Sequence, residues 1–129
     1  MAPTTIDQVV ARLREGRALD DLRTARASAR TDVIIKRHGR RRVLRQIEAL
    51  GIDRDLAHQA VDEVFGDVDE GDLLERVLAR RLGRGRQFIA DRAEYRRIYA
   101  YLVRQGFDPS AVGTLLRGRF RSDAPPDDE

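Results

Sequence analysis

The stretch RRVLRQIEALGIDRDLAHQAVDEVF, residues 41–65, returns near the end of the chain as RRIYAYLVRQGFDPSAVGTLLRGRF, residues 96–120. The two stretches align without a gap at an offset of 55 residues. The identical pairs are Arg41/Arg96, Arg42/Arg97, Gly51/Gly106, Asp53/Asp108 and Phe65/Phe120. The apolar positions keep the same register, so both copies are expected to bury the same face. A repeat at fixed spacing is typical of stacked modules that are each too small to cover their own apolar face.

The first half of the chain has helical periodicity between its breaks. Thr5 and Gln8 form a capping-box pattern, which predicts a first helix over residues 5–15 that ends at Gly16. The paired acids at 20–21 predict the start of a second helix. Its apolar residues recur at three and four positions as far as residue 36.

The repeated part predicts helix pairs that end and begin at equivalent positions. In the first copy, a helix over 40–50 stops at Gly51, and Asp53 caps the next helix. That helix closes at Phe65, where Gly66 suits a left-handed terminal position.

The second half repeats this plan with a longer connection. Asp69 or Asp72 predicts the start of a helix that is broken by the Gly-Arg-Gly-Arg turn at 83–86. A further helix is predicted over 92–105, and Asp108 caps the last one, with proline at its first position.

No segment alternates in the manner of a strand, so the predicted fold class is all-α. We expect tandem three-helix modules, similar to helix-turn-helix repeats, in an elongated and curved arrangement. Residues 1–19 are interpreted as an N-terminal helix that is the remnant of a first module. Residues 20–66 and 67–121 are the two three-helix modules, and 122–129 form an acidic tail expected to be disordered.

Composition favours binding over catalysis. The chain has no cysteine, so a disulfide framework and a thiolate metal site are excluded. His38 and His58 are too far apart for a ligand pair and are interpreted as surface or helix-edge residues. The acidic run 67–72 lacks the calcium-loop ligand pattern and is interpreted as a capped turn. No serine lies in a nucleophile motif, so we expect no enzyme, no metal and no cofactor.

Targeting signals are also missing from the sequence pattern. No apolar run approaches the roughly 18 residues that a membrane-spanning helix needs. The first residues lack a basic region followed by an apolar core. The chain is therefore expected to be soluble and cytoplasmic, with no membrane partner.

Charge is distributed in blocks that the net value of +3 conceals. Residues 12–45 contain 12 basic and 4 acidic residues, residues 46–75 contain 1 and 10, and residues 76–121 contain 12 and 3. Of the 25 basic residues 24 are arginine, which suits phosphate and carboxylate, although a G+C-rich genome would favour the same choice. The blocks are either solvated helix faces or the footprint of a polyanion.

Two basic clusters lie about one repeat apart and are the candidate binding residues. The first cluster consists of Lys36, Arg37, Arg40, Arg41, Arg42 and Arg45. The second consists of Arg80, Arg81, Arg84, Arg86, Arg92, Arg96 and Arg97. Tyr95, Tyr99 and Tyr101 lie near the second cluster and serve either packing or stacking on bases.

Several motifs together resemble the RecX family of bacterial recombination regulators. They are the Leu-Asp-Asp start at 19–21, the basic turn with Gly39, the helix ending at 47–52, and above all Tyr-Leu-Val-Arg-Gln-Gly-Phe at 101–107. The similarity covers about residues 6–121. RecX proteins are similar tandems of three-helix modules, usually three of them.

The resemblance implies a regulator of the RecA recombinase, with roles in DNA recombination, DNA repair and the SOS response. Such a protein lodges in the groove of the RecA filament on single-stranded DNA and inhibits its ATPase and strand exchange. Both basic clusters would then bind the filament, and naked single-stranded DNA would bind weakly and in a salt-dependent manner. We expect a monomer. Thr24 departs from the family, which commonly has an aromatic residue there, and the chain begins at what corresponds to the last helix of the first module.

Two other interpretations remain open. Three-helix units with a glycine-containing turn resemble helix-turn-helix domains, so the chain is alternatively a direct DNA-binding module that acts without recombinase. A third possibility is a protein adaptor whose arginines form ion pairs with the acidic block 46–75. The direction and strength of regulation and the recombinase surface contacted stay open.

Overall fold

The computed structural model describes residues 5–120, and it confirms the all-α prediction. Its helices are α1 (Ile6–Arg30), which continues into a π-helical turn (Thr31–Ile35), α2 (Arg40–Ala49), α3 (Arg54–Phe65), α4 (Glu70–Leu82), α5 (Arg92–Arg104) and α6 (Pro109–Arg117). Within these residues the β-structure is limited to one isolated parallel bridge between Ile89 and Phe120. The tail predicted over 122–129 lies outside the described part of the chain.

The predicted break at Gly16 is wrong, because α1 runs through it without interruption. A single glycine inside a helix costs about 1 kcal/mol relative to alanine, which lowers helix stability without ending the helix. Asp20, which the sequence predicted as a cap, lies in the middle of α1, and its exposed carboxylate pairs with Arg23 at 3.2 Å. The proposed division between residues 19 and 20 therefore falls inside one helix.

The N-terminal half of α1 extends beyond the packed body. The Thr5 hydroxyl accepts from the Gln8 backbone N–H at 3.1 Å, which confirms the predicted capping box. The apolar stripe that follows stays uncovered, since Ile6 is 80% exposed and Leu13 is 68% exposed. No helix within residues 5–120 has the length and apolar character needed to cross a membrane.

The six helices of residues 5–120 pack as two groups of three. In the first group (α1–α3), α1 packs mainly on α3, and both helices bury alanines completely: Ala25 and Ala29 from α1, Ala57 and Ala60 from α3. Small residues at these positions allow the helix backbones to approach closely. In the second group (α4–α6), each helix contributes a fully buried leucine: Leu78, Leu102 and Leu116.

The ends of the repeated helices match in detail. Gly51 and Gly106 both follow a helix with positive φ, +86° and +106°, the left-handed region that glycine enters without steric cost. The Asp53 and Asp108 carboxylates each accept a backbone N–H of the next helix at 3.0 Å. The predicted left-handed Gly66 is wrong, because its φ is −60°. These residues agree with the repeat, and the tandem, elongated and curved arrangement stays a prediction.

Candidate functional site

The two groups meet where the turn before α2 contacts the turn between α5 and α6. The Gly39 N–H donates to the Gln105 carbonyl at 2.8 Å, and the Arg41 N–H donates to the Gly106 carbonyl at 3.1 Å. A Cβ placed on Gly39 would lie 2.5 Å from the Gly106 carbonyl carbon, and one on Gly106 would lie 2.5 Å from the Cβ of Arg42. We call this contact the joint. Only glycine fits on either side of it.

Two arginines of the first predicted cluster hold the joint together. Arg41 donates to the Asp108 carboxylate at 2.7 Å, and the other oxygen of that carboxylate caps α6. Arg42 donates to the Gln105 side-chain oxygen at 3.3 Å. These guanidinium groups therefore connect the two groups of helices.

Beside the joint lies a cleft of about 480 Å³ that both groups line. The cleft is lined by Ile35, Lys36, Arg37, Val77, Arg80, Arg81, Tyr101 and Gln105. We call it the basic cleft, because four of these residues are cationic and none is acidic. The structure thus brings together two residues of the first predicted cluster and two of the second.

Arg37 enters the cleft from an unusual backbone conformation. Its φ is +56°, and it is the one non-glycine residue with positive φ among residues 5–120. The surrounding turn fixes this conformation: the His38 N–H donates to the Asp32 carbonyl at 2.9 Å, and Gly39 is held in the joint. Such backbone strain costs about 1–3 kcal/mol and clusters at functional sites.

The cations of the cleft have few counter-charges. Lys36 lies 3.6 Å from the Asp32 carboxylate, whose side chain is buried. The Arg81 guanidinium lies 4.3 Å from the centre of the Tyr101 ring, a cation–π contact that leaves its charge uncompensated. Within residues 5–120, Arg37 and Arg80 form no ion pair. Like charges at this density favour a bound anion.

Arg40 lies outside the cleft, although it belongs to the first predicted cluster. It donates to Asp62 at 2.6 Å and to Glu70 at 3.3 Å, and its guanidinium lies 5.0 Å from the centre of the Phe65 ring. Its charge is therefore satisfied within the chain.

Arg86, in the second predicted cluster, is also paired. Its guanidinium donates to both oxygens of Glu94, at 2.8 and 2.6 Å, and to the Phe88 carbonyl at 3.2 Å. These hydrogen bonds, with one from the Ala90 N–H, lower the pKa of Glu94 to about 2. The pair fastens the connection between α4 and α5.

The other predicted binding residues are dispersed on the surface. Arg45, Arg84, Arg92, Arg96 and Arg97 are exposed and line no part of the basic cleft. Of the thirteen predicted residues, four thus line the basic cleft, Arg41 and Arg42 hold the joint, Arg40 and Arg86 form ion pairs elsewhere, and five lie at the surface.

The interpretation of His38 as a surface or helix-edge residue is wrong, because its side chain is buried, with 7% exposed, next to the joint. Its Nδ1 lies 3.3 Å from the Gln46 side-chain oxygen. Burial, and then the positive charge of Arg42, lower the pKa of His38, so the imidazole is neutral near pH 7. His58 is exposed. The histidine at 38 therefore supports the turn that presents Arg37.

Sequence reasoning missed the participation of Ile35, Val77 and Gln105 in the cleft. The position of Gln105 could have indicated its role, because it directly precedes the Gly106 turn in the motif at 101–107.

Comparison with protein-family models, curated proteins and solved structures finds no match to this chain.

Proposed function

We propose that this protein binds a RecA-type recombinase filament on single-stranded DNA through the basic cleft and inhibits its ATPase and strand exchange. The observation that supports the proposal is the convergence of Lys36, Arg37, Arg80 and Arg81 from both helical groups on one cleft without an acidic lining residue. The proposal places the protein in the cytoplasm, acting as a monomer.

The electrostatics of the cleft suit a polyanion. Each phosphate of a single strand that a cation neutralises contributes about 0.7 to the slope of log affinity against log salt. Guanidinium groups also bind phosphate and carboxylate through paired hydrogen bonds. A filament surface that combines DNA phosphates with protein carboxylates offers both kinds of partner.

The direct DNA-binding alternative has less support from the structure. A helix-turn-helix reader of duplex DNA inserts a recognition helix into the major groove. In the first group the corresponding helix is α3, which carries Asp55, Asp62 and Glu63 against Arg54 alone. The start of α2 is covered by the joint at Gly39. Neither helix presents a cationic face and a free end to a groove.

The adaptor interpretation draws support from ion pairs that the acidic block forms within the chain. Arg26 donates to Glu63 at 3.0 Å, and this hydrogen-bonded contact lowers the pKa of Glu63. Arg40 bridges Asp62 and Glu70. None of these paired residues lines the basic cleft. Arg37, Arg80 and Arg81 of the cleft take part in none of these ion pairs, which leaves them for an external partner.

The test is the single-strand-dependent ATPase of a RecA-type recombinase, titrated with the wild-type chain and a triple variant. The variant changes Arg37, Arg80 and Arg81 to alanine and leaves Lys36 in place, because Lys36 pairs with the buried Asp32. We expect the inhibitory concentration to rise by about tenfold or more. The salt slope of filament binding should fall by about 2, from three lost contacts.

A matched control removes the same charge elsewhere. Arg12, Arg54 and Arg104 are exposed and lie outside the cleft, so changing all three to alanine should leave inhibition within about twofold. Equal inhibition by both triple variants would contradict the assignment of the cleft. Tight, sequence-dependent binding to naked duplex DNA without recombinase would favour the direct DNA-binding alternative instead.

A further inference from the structure

A second concave surface lies between α5 and α6, and it shares no lining residue with the basic cleft. Its volume is about 520 Å³, and its lining consists of Tyr95, Arg96, Tyr99, Pro109, Ser110, Gly113 and Arg117. We call it the tyrosine groove. The Tyr95 and Tyr99 rings are nearly parallel, with an interplanar angle of 13° and centres 6.3 Å apart. Two guanidinium groups flank these rings, and no acid among residues 5–120 lines the groove.

The first copy of the repeat shows what the same place looks like without such a groove. Tyr95 corresponds to Arg40, and Phe120 to Phe65, at the offset of 55 residues. Arg40 lies over Phe65 at 5.0 Å, and Tyr95 lies against Phe120 at 5.2 Å. The packing is conserved between the two copies, while the group that does the packing changes from a cation to an aromatic ring.

At the rim of the groove, an acidic residue of the first copy is replaced by a basic residue in the second. Arg117 corresponds to Asp62, which binds Arg40 at 2.6 Å in the first copy. That copy is closed by its own ion pair. In the second copy Tyr95 cannot pair with Arg117, whose one hydrogen bond to a side chain in the described residues is to Thr114 at 3.5 Å. The groove therefore keeps a positive charge without an ion pair in the described residues, beside two half-buried tyrosine rings.

The floor of the groove also differs between the two copies. Gly113 stands where the first copy has His58. The three side-chain atoms nearest to a Cβ built on Gly113 all belong to the Arg117 guanidinium, the closest at 3.1 Å. The glycine thus lets the Arg117 guanidinium lie close against the floor of the groove, where a Cβ would crowd it.

From these three differences we propose that the tyrosine groove binds one nucleotide unit of a single-stranded nucleic acid. The base lies against Tyr99 and Tyr95, and the adjoining phosphate is bound by Arg96 and Arg117. Aromatic rings accept any base by stacking, and guanidinium groups bind phosphate through paired hydrogen bonds. The volume lies within the range of small-ligand pockets, roughly 300–1,000 Å³. This site does not depend on the recombinase, so its failure would leave the proposed function untouched.

The experiment measures binding of the full chain to three labelled 15-residue strands by fluorescence anisotropy without recombinase. The strands are oligo-dT, oligo-rU and an abasic strand with the same number of phosphates. Stacking of one base is worth a factor of about five or more, so oligo-dT, oligo-rU or both should bind at least about fivefold more tightly than the abasic strand.

The variants transplant residues of the first copy, which its fold already accommodates at the equivalent positions. Tyr99→Leu copies Leu44 and should remove the preference for strands with bases, while Tyr99→Phe should keep it. Arg117→Asp copies Asp62 and should weaken binding of all three strands. The exposed Arg54, changed to Asp, makes the same charge change outside the groove and should have a smaller effect on each strand.

Two results would overturn the proposal. One is equal binding of the abasic strand and both base-containing strands by the wild-type chain. The other is an unchanged base preference in a Tyr99→Leu variant whose thermal unfolding shows that it is folded.

Discussion

The joint between the two helical groups can be tested with three alanine substitutions that separate its physical components. Gly51 and Gly106 occupy equivalent left-handed positions, yet a Cβ on Gly51 would meet nothing within 4 Å, whereas one on Gly106 would strike Arg42. Gly39 has an ordinary φ of −78° and would place its Cβ against the Gly106 backbone. Gly51→Ala thus tests the backbone conformation alone, Gly39→Ala tests the close contact alone, and Gly106→Ala tests both.

The expected costs follow from these geometries. Gly51→Ala forces a left-handed alanine, which costs about 1 kcal/mol of the free energy of unfolding. Gly39→Ala keeps its conformation but overpacks a backbone contact, which costs about 1–3 kcal/mol. Gly106→Ala combines both effects and should cost about 2–4 kcal/mol. The two hydrogen bonds across the joint, from the N–H groups of Gly39 and Arg41, would weaken as the turns separate.

The assay is equilibrium unfolding in urea, followed by helical circular dichroism, with thermal unfolding as a second probe. We expect the order wild type, Gly51→Ala, Gly39→Ala, Gly106→Ala, from most to least stable. Each kcal/mol corresponds to about 4 °C in Tm for a chain of this size. If Gly39→Ala were as stable as wild type, or Gly106→Ala as stable as Gly51→Ala, the two groups would not meet at these glycines.

Three further predictions concern stability elsewhere in the chain. Asp53→Ala removes the cap of α3 and should cost about 1 kcal/mol by urea unfolding, whereas no change would mean that the hydrogen bond to the α3 backbone is dispensable. The folded-state pKa of Glu94, about 2, lies below its usual value, so its stabilisation is present above about pH 5 and is lost as the pH falls toward 2. Wild type should therefore exceed Glu94→Gln in unfolding free energy at pH 7 and converge with it at acid pH, and a constant difference would contradict the Arg86 pairing. Gly16→Ala should raise helicity and stabilise the protein by up to about 1 kcal/mol, because Gly16 is inside α1 with open space around it, and a loss of helicity would indicate a turn there.

The sequence predicted the features that depend on neighbouring residues. The capping box at Thr5, the cap at Asp53 and the glycine ends at Gly51 and Gly106 are local patterns, and the structure confirms each of them. Gly16 was misjudged because a helix-breaking tendency of about 1 kcal/mol is smaller than the cooperative gain of continuing a long helix. The prediction of a left-handed Gly66 is wrong because α3 ends with this glycine still in the right-handed helical region, at a φ of −60°.

The basic cleft could be predicted only in part. Its cations were all among the candidate residues, but nothing local distinguishes Arg37 and Arg80, which line the cleft, from Arg40 and Arg86, which do not. The difference lies in distant partners. Arg40 meets an acid 22 residues away at Asp62, and the cleft itself forms only when the two helical groups pack together.

The central claim is that the basic cleft contacts the recombinase filament, and an electron cryomicroscopy map of the chain bound to a filament on single-stranded DNA tests it most directly. The proposal predicts density for this protein along the filament groove. Arg37, Arg80 and Arg81 should lie within hydrogen-bonding distance of DNA phosphates or recombinase carboxylates. A map in which the bound chain turns the basic cleft toward solvent would contradict the claim, as would a filament that carries no density for the chain at saturating concentration.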